Sequence, residues 1–158
     1  MPIKNNVTRL LDSRKVAYTA FEMTAEKRGA IETARLLGIA PSLVYKTIVV
    51  KRKKGKPILA MIPGDRDADL KKIAQVLSEK KIFLPTQDEA ERMTKLQAGG
   101  ISPLALLNKG FDVLLDERAR DLDEIHLSGG QRGLNIRLGV DDLISLTHAR
   151  VADLSRAK

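Results

Sequence analysis

Apolar residues recur at helical spacing in several stretches of the chain. In 69–77 the apolar positions are Leu70, Ile73, Ala74 and Leu77, which is the spacing of one buried helix face. Other stretches carry helix boundary signals, such as the capping residues Asn5 and Asn6 at a start and a glycine, Gly38, at an end. The pattern predicts helices at 7–14, 30–37, 69–77 and 87–94, and a fifth at 142–146 that is capped by Asp141.

Seven shorter stretches predict β-strands, at 18–22, 45–50, 58–62, 81–84, 112–115, 124–127 and 134–138. A glycine at position 55 predicts a hairpin between the second and third strands, and Pro63-Gly64 ends the third. Because hairpins alternate with helices, we expect an α/β (α+β) fold with a mixed β-sheet and flanking helices. The length of 158 residues fits one domain spanning 1–158.

Charge adds a candidate partner to this picture. The formal net charge is +8 and the pI is about 9.8, and a basic surface attracts polyanions such as nucleic acid. The chain has five aromatic residues, too few for a platform on which single-stranded bases stack. The N-terminal stretch lacks an apolar signal core and no segment is long enough to span a bilayer, so we expect a cytoplasmic protein without a membrane partner.

Most familiar catalytic motifs are missing from the sequence. There is no cysteine, which excludes disulfides, thiolate metal sites and a cysteine nucleophile. The two histidines, His126 and His148, do not have the spacing of metal ligands. No serine lies in a G-x-S-x-G elbow, and no glycine-rich segment matches a dinucleotide or phosphate-binding loop. We therefore expect neither a metal nor a cofactor.

Three segments remain that could carry chemistry, and each of them also has a purely structural interpretation. Lys46 begins an otherwise apolar strand, where its ammonium must reach water or an anionic partner, or simply extends to the solvent. The glycines of segment 99–103 allow close backbone approach to a ligand, although the segment could be an ordinary loop. The loop 128–133, with Arg132, could form an amide nest for an anion or a hairpin with a basic tip.

Taken together, the three segments resemble the sequence pattern of a known protein family. Residues 44–47, 99–104 and 128–134 occur in the order and at the separations found in the YbaK/ProX family of aminoacyl-tRNA deacylases, which the chain resembles along nearly its whole length. Within that family it looks most similar to the deacylases of Cys-tRNA(Pro). The resemblance implies a mixed, partly barrel-like sheet and a pocket for the aminoacylated adenosine. It also implies hydrolysis without a metal or an enzyme nucleophile, in which the thiol of the substrate attacks its own ester.

The resemblance also implies site residues. Lys46 would hold the 3′-terminal nucleotide and offset negative charge, and the backbone of segment 99–103 would bind the α-amino group and the carbonyl. Asp116, at a strand end, would orient Lys46 or form a structural ion pair. The expected catalytic residues are Lys46, Gly99, Gly100 and Ser102. The expected substrate-binding residues are Tyr45, Ile101, Pro103, Asp116, Ser128, Gly129, Gly130 and Arg132.

One segment departs from the family pattern. After residue 104 the family often continues with a glycine and a pair of lysines, whereas this chain reads Ala105-Leu106-Leu107-Asn108-Lys109. The departure leaves the glycines in place but removes a basic pair that could contact tRNA. The basic run 51–54 is a possible substitute or an ordinary solvated face.

Two other functions stay open at this point. A sibling deacylase for alanyl-tRNA or another small aminoacyl-tRNA would share the pocket, because discrimination per methylene is worth only about 1–3 kcal/mol. A tRNA-binding or synthetase-associated module without catalysis would share the fold. Aminoacylated tRNA is the expected partner, and prolyl-tRNA synthetase is a second candidate.

Overall fold

The computed structural model describes residues 3–158, and in this range the chain forms five α-helices and ten β-strands. The helices are α1 (Asn6–Ser13), α2 (Ala30–Leu37), α3 (Leu70–Leu77), α4 (Gln87–Thr94) and α5 (Val140–Thr147). The strands are β1 (Tyr18–Glu22), β2 (Tyr45–Arg52), β3 (Ile58–Pro63), β4 (Arg66–Ala68), β5 (Ile82–Phe83), β6 (Asp112–Asp116), β7 (Glu124–Ser128), β8 (Leu134–Gly139), β9 (Arg150–Ala152) and β10 (Ser155–Ala157).

The strands are divided among three sheets. A five-stranded sheet has the order β5-β2-β3-β6-β9, in which β3, β6 and β9 are parallel neighbours and the other pairs are antiparallel. A three-stranded antiparallel sheet has the order β1-β8-β7, and β10 pairs with β4. A single bridge between Val44 and His126 joins the start of β2 to β7. The mixed α/β fold with helices is confirmed, and within residues 3–158 the sheets do not close into a barrel.

Strand β3 lies at the centre of the core, and all six of its residues are buried. Because successive side chains of a strand point to opposite faces, β3 contributes to two hydrophobic clusters. Leu59 and Met61 pack on the side of the three-stranded sheet, whereas Ile58 and Ile62 pack on the side of α3. The five-stranded sheet is therefore covered on both faces, which explains its long apolar runs.

Caps explain most helix starts. Asn5 caps α1 in a reciprocal capping box with Thr8, and Asp69 accepts hydrogen bonds at the start of α3. The prediction that Asp141 caps the last helix is wrong, because α5 begins directly after β8 and Asp141 lies in its first turn. The amide of Val140 donates instead to the backbone oxygen of Asp123, which satisfies one amide of the first turn without a capping side chain.

The sequence pattern missed three strands, β4, β9 and β10. Each has three residues, too short to display a periodic pattern, and each is stabilised by pairing with a distant partner. Every helix in 3–158 has eight residues, about 12 Å in length, so none of these helices could cross a bilayer core of about 30 Å.

Candidate functional site

A cavity of about 230 Å³ lies at the start of β2. Four parts of the chain enclose it: the segment after β1 with the first turns of α2, the first residues of β2, the loop 98–101, and the hairpin between β7 and β8. Its polar lining comes from Glu26, Arg28, Thr33, Tyr45, Lys46, Thr47, Ser128 and Asn135. Its other lining residues are Met23, Gly29, Ala30, Val44, Ala98, Gly99, Ile101, Gly133 and Leu134.

Lys46 supplies an ammonium group to the lining of this cavity. It lies opposite Ile62 in the β2–β3 pair and is half-buried. Burial, with a smaller effect of the Lys158 ammonium, lowers the pKa of Lys46 below its usual 10.5, and Asp67 and Asp65 oppose the shift. Within residues 3–158, Lys46 forms no ion pair and its Nζ atom donates no hydrogen bond. Its ammonium is therefore available to an anionic group that enters the cavity.

The neighbouring Thr47 contributes a hydroxyl group that lacks a partner. Its Oγ1 atom is buried and makes no hydrogen bond within the described residues. A buried polar group without a partner costs about 1–3 kcal/mol, so a ligand that hydrogen-bonds to this hydroxyl would recover that free energy. Thr47 is consequently a second polar contact of the cavity on the same strand as Lys46.

Asn135 is held in place from behind by a buried histidine. The Nδ1 atom of His126 is 2.8 Å from Oδ1 of Asn135, and because an amide oxygen can only accept, Nδ1 carries the proton. Burial lowers the pKa of His126, which favours its neutral form. The contact directs the amide oxygen of Asn135 to His126 and fixes the amide plane beside the cavity.

The two glycine-rich loops form one wall of the cavity because they pack directly against each other. A Cβ atom on Gly100 would lie 2.8 Å from Cα of Gln131, so only glycine allows this approach. Nε of Arg132 donates to the backbone oxygen of Ala98 at 2.7 Å and ties the loops together. Gly99 lines the cavity, whereas Gly100 and Arg132 support the wall without lining it.

The loop 128–133 uses two of its amides internally. The amide of Gly129 donates to the backbone oxygen of Leu134, and the amide of Gly130 donates to Oγ of Ser128 at 3.3 Å. These two amides are therefore not open to an anion, contrary to the amide nest that the sequence allowed. Ser128 itself lines the cavity, and Gly129 packs against the side chain of Leu134.

Ser102 and Pro103 turn away from the cavity. Ser102 is fully buried, and its Oγ atom accepts a hydrogen bond from the amide of Leu104. Pro103 begins a short 3-10 turn, Pro103–Ala105, while the preceding Ile101 lines the cavity. The departing segment 105–109 continues from that turn, with Leu106 in the core and Lys109 exposed.

The position of Asp116 separates its two expected roles. Its carboxylate is fully buried and accepts hydrogen bonds from Arg118, from the hydroxyl of Ser155 and from the amide of Leu154. These contacts fasten the C-terminal segment to the end of β6. The structure does not bring Asp116 to Lys46, so of its two sequence-based roles the structural ion pair, with Arg118, is the one observed.

Tyr45 borders both the cavity and a second cavity of about 490 Å³ on the side of Arg66 and Arg118. Its hydroxyl is buried and makes no hydrogen bond within 3–158. Burial, and secondarily the charge of Asp116, raises the pKa of Tyr45 well above 10. The phenol is thus a neutral group between the two cavities.

Sequence reasoning missed several residues of the cavity. Arg28 is nearly buried there, with a side chain that is 8% exposed and that donates to the backbone oxygen of Thr24. Glu26 and Thr33 come from the same region, and Asn135 comes from β8. In the sequence these four residues look like ordinary loop, helix or strand residues. Thr47 was not predicted as a site residue either, although it lies in the segment 44–47 that matched the family pattern. Among the described residues no cluster of three or more histidine or carboxylate ligands could hold a metal ion.

Comparisons with known proteins agree on one family. The sequence model of the aminoacyl-tRNA editing domain family matches residues 24–146. A protein of Enterococcus faecalis named as a candidate Cys-tRNA(Pro)/Cys-tRNA(Cys) deacylase, EbsC, is 32% identical over 154 residues, which are 96% of this chain and 93% of that protein. A proline–tRNA ligase of Geobacter metallireducens is 27% identical over 134 residues, which are 83% of this chain and 22% of the ligase.

A solved structure shares the fold. The crystal structure of a candidate trans-editing enzyme for prolyl-tRNA synthetase superposes with a TM-score of 0.81 and 25% identity, covering 99% of this chain and 100% of that one. The match of the family model over 24–146 and the identity with EbsC confirm the resemblance seen in the three sequence segments. The chain belongs to the aminoacyl-tRNA editing domain family.

Proposed function

We propose that this chain hydrolyses the aminoacyl ester of misacylated tRNA in trans, and that Cys-tRNA(Pro) is its substrate. The observation that carries the proposal is the small cavity at the start of β2, which is lined by Lys46, a residue without an ion pair in the described range 3–158. Family membership and the name of the EbsC relative support both the reaction and the substrate.

The size of the cavity fits an aminoacyl group. Its volume of about 230 Å³ lies below the roughly 300–1,000 Å³ of sites that enclose drug-sized molecules. The cavity therefore suits a small aminoacyl group with part of its ribose, while the rest of the nucleotide stays outside.

We assign roles by position around the cavity. Lys46 offsets the negative charge that develops on the ester oxygens. Thr47, whose side chain points to the other face of β2, donates to a different part of the bound aminoacyl group. The backbone at Gly99 and Ile101 binds the α-amino group and the carbonyl, and Ser128 borders the side chain of the amino acid. Gly100, Ser102, Pro103, Gly129, Gly130 and Arg132 hold the wall in shape. Tyr45 separates the two cavities. Asp116 does not contact the substrate and only stabilises the fold, through hydrogen bonds such as the one from Ser155.

The nucleophile that we propose is the thiol of the substrate. Its sulfur forms a bond to the carbonyl carbon, the bond from that carbon to the ribose 3′-oxygen breaks, and the thiol proton ends on the released 3′-hydroxyl. The products are free tRNA and a cyclic cysteine thiolactone, which water then opens to cysteine. Positioning and charge stabilisation suffice for this step, because an aminoacyl ester is already activated.

The test compares three charged tRNAs with the wild-type protein and with Lys46→Ala. Cys-tRNA(Pro) should be hydrolysed rapidly, and Ser-tRNA and Ala-tRNA much more slowly, because a hydroxyl is scarcely ionised near neutral pH and alanine has no side-chain nucleophile. Mass-spectrometric trapping should recover the thiolactone. Lys46→Ala should lower kcat/KM by about 10²–10³-fold, as the loss of one oxyanion donor does, with an unchanged melting temperature. Rapid hydrolysis of Ala-tRNA would contradict the thiol mechanism, and normal turnover by Lys46→Ala would contradict the role of Lys46.

A complex with prolyl-tRNA synthetase is a separate part of the proposal. The proline–tRNA ligase of Geobacter metallireducens contains a segment similar to 83% of this chain, which supports a shared task in proline-tRNA quality control. If the synthetase presents the tRNA, adding it should raise the preference for Cys-tRNA(Pro) over Cys-tRNA(Cys). An unchanged ratio, together with no co-elution on gel filtration, would remove the synthetase from the proposal.

A further inference from the structure

The end of the five-stranded sheet farthest from the cavity is strongly basic. Strand order and direction bring together the end of β2 and the starts of β5, β3 and β6 at this end. The connecting segments 52–56, 79–81 and 109–112 therefore meet there. We call these three segments the basic end; its cations are Arg52, Lys53, Lys54, Lys56, Lys80, Lys81 and Lys109.

Few of these charges are neutralised. Arg52 is paired with Asp112 at 3.0 Å, and Lys51, just before the segment, is paired with Glu89. The six lysines of the basic end are exposed, and none has an ion pair within residues 3–158. With Glu79 and Asp112 as the only carboxylates of the three segments, the basic end carries +5 of the formal +8 of the chain.

The segments converge through specific contacts. The ladder between β2 and β5 ends with the pair Arg52–Ile82, so Lys53 and Lys81 are the residues that directly adjoin its last pair. On the other side, Nζ of Lys56 donates to the backbone oxygen of Lys109. The sequence showed only the run 51–54, and folding adds lysines from two distant segments while it neutralises Lys51 and Arg52.

The distance to the cavity decides what this charge can do. Arg52 lies six positions after Lys46 in β2, which corresponds to about 20 Å along a strand. The Debye length at physiological ionic strength is about 8 Å, so exposed charges at the basic end have little effect on reactions in the cavity. The basic end can act together with the cavity only on a ligand that is large enough to span both places.

We propose that the basic end binds the phosphate backbone of the tRNA body while the aminoacylated 3′ end occupies the cavity. The proposal rests on the proposed function for its choice of tRNA as the polyanion. Unpaired lysines on an exposed surface bind phosphates through release of counterions, without reading bases. The basic end consequently raises affinity for any tRNA and leaves the choice of amino acid to the cavity.

The experiment compares two triple variants that lose the same charge. The test variant is Lys53→Gln, Lys54→Gln, Lys81→Gln, and the control is Arg14→Gln, Lys15→Gln, Arg120→Gln, which removes three exposed cations outside the basic end. Binding of uncharged tRNA(Pro) transcript is measured by fluorescence anisotropy at several salt concentrations. Hydrolysis of 3′-O-cysteinyl-adenosine, which is too small to reach the basic end, is measured in parallel.

The test variant should bind tRNA about tenfold more weakly at 100 mM salt, and the slope of log affinity against log salt should become shallower by about 2–3. The control should keep the wild-type slope to within about 1, and both variants should hydrolyse cysteinyl-adenosine at the wild-type rate. Equal tRNA affinity and slope for the two variants would overturn the proposal. So would loss of binding to prolyl-tRNA synthetase alone, since that would make the basic end a protein interface.

The two proposals can fail separately. If the wild-type protein does not hydrolyse cysteinyl-adenosine or Cys-tRNA(Pro), the proposed function is wrong whatever the salt slopes show. If hydrolysis is normal and the test variant binds tRNA like the control, only the role of the basic end is wrong.

Discussion

At the scale of single residues, the cavity borders three adjacent polar groups of β2 that have no partner within residues 3–158, and the hydroxyl of Tyr45 is the first of them. Lys46 is half-buried and lacks an ion pair within 3–158, and Thr47 has a buried hydroxyl without a hydrogen bond. A structure optimised only for stability would pair or remove such groups. Their presence on adjacent positions of β2 is what marks the start of this strand as a site.

The lowered pKa of Lys46 predicts a pH profile. If the protonated ammonium is needed, kcat/KM falls as the pH rises through a pKa below 10.5, because burial favours the neutral amine. In Lys46→Arg the descending limb should move to higher pH, since guanidinium stays protonated. The profile is measured with Cys-tRNA(Pro) after subtraction of spontaneous hydrolysis, and the same descending limb in both proteins would assign it to another group.

Thr47→Val separates binding from stability. Valine keeps the shape of threonine and removes a hydroxyl that has no partner in the described part of the chain. The free energy of unfolding should be unchanged or rise by up to about 1 kcal/mol, while kcat/KM should fall about 3–10-fold through loss of one hydrogen bond to substrate. Urea denaturation and deacylation assays measure the two effects. Unchanged kinetics would show that Thr47 does not contact the substrate.

At the scale of elements, a single carboxylate both starts α4 and joins it to β2. One oxygen of Glu89 accepts from the amide of Thr86 in a capping box, and the other accepts from Lys51 at 2.6 Å. The hydrogen bond from Lys51, followed by that from Thr86, lowers the pKa of Glu89 from 4.5 to about 2. The helix is thereby held beside the strand that carries Lys46.

This shift predicts behaviour in acid. Because the folded state favours the carboxylate, the stability that Glu89 provides is complete above pH 4.5 and is lost as the pH falls towards about 2. Glu89→Gln should therefore be less stable than the wild type at pH 6, and the difference should shrink by pH 2.5. Urea denaturation at the two values measures it, with Asp88→Asn on the same helix as the control. A difference independent of pH would mean that the Lys51 contact is not the cause.

At the scale of the whole molecule, β3 joins the two hydrophobic clusters. Leu59 belongs to the cluster beneath the three-stranded sheet, and Ile62 belongs to the cluster beneath α3. Both are fully buried on one strand of six residues. Neither cluster can lose its packing without exposing the backbone that supports the other.

We therefore expect the two clusters to unfold together. Leu59→Ala and Ile62→Ala should each lower the free energy of unfolding by about 2–5 kcal/mol, the usual cost of such truncations in a core. Calorimetry should show one transition with equal calorimetric and van't Hoff enthalpies in the wild type and in both variants. A second transition in either variant would show that the clusters are independent.

Local patterns in the sequence predicted most of the elements. The periodicity at 69–77, the left-handed stop at Gly38 and the cap at Asn5 depend on residues only a few positions apart, and each is observed. The order of segments 44–47, 99–104 and 128–134 was likewise sufficient to identify the family to which the chain belongs. Such features are readable because the interactions that cause them are local or are retained as motifs.

Tertiary contacts decided the rest. The sequence left open whether Asp116 orients Lys46 or forms a structural ion pair, and contacts such as the one with Ser155, 39 positions away, decided between them. Arg28 enters the cavity because the segment after β1 folds over the start of β2. The basic end exists because β5 pairs with the end of β2. The lysines that this pairing brings together are far apart in the sequence, so their proximity cannot be read from it. In each case the decisive free energy comes from groups that meet only after the chain has folded, so it leaves no trace in any short window of sequence.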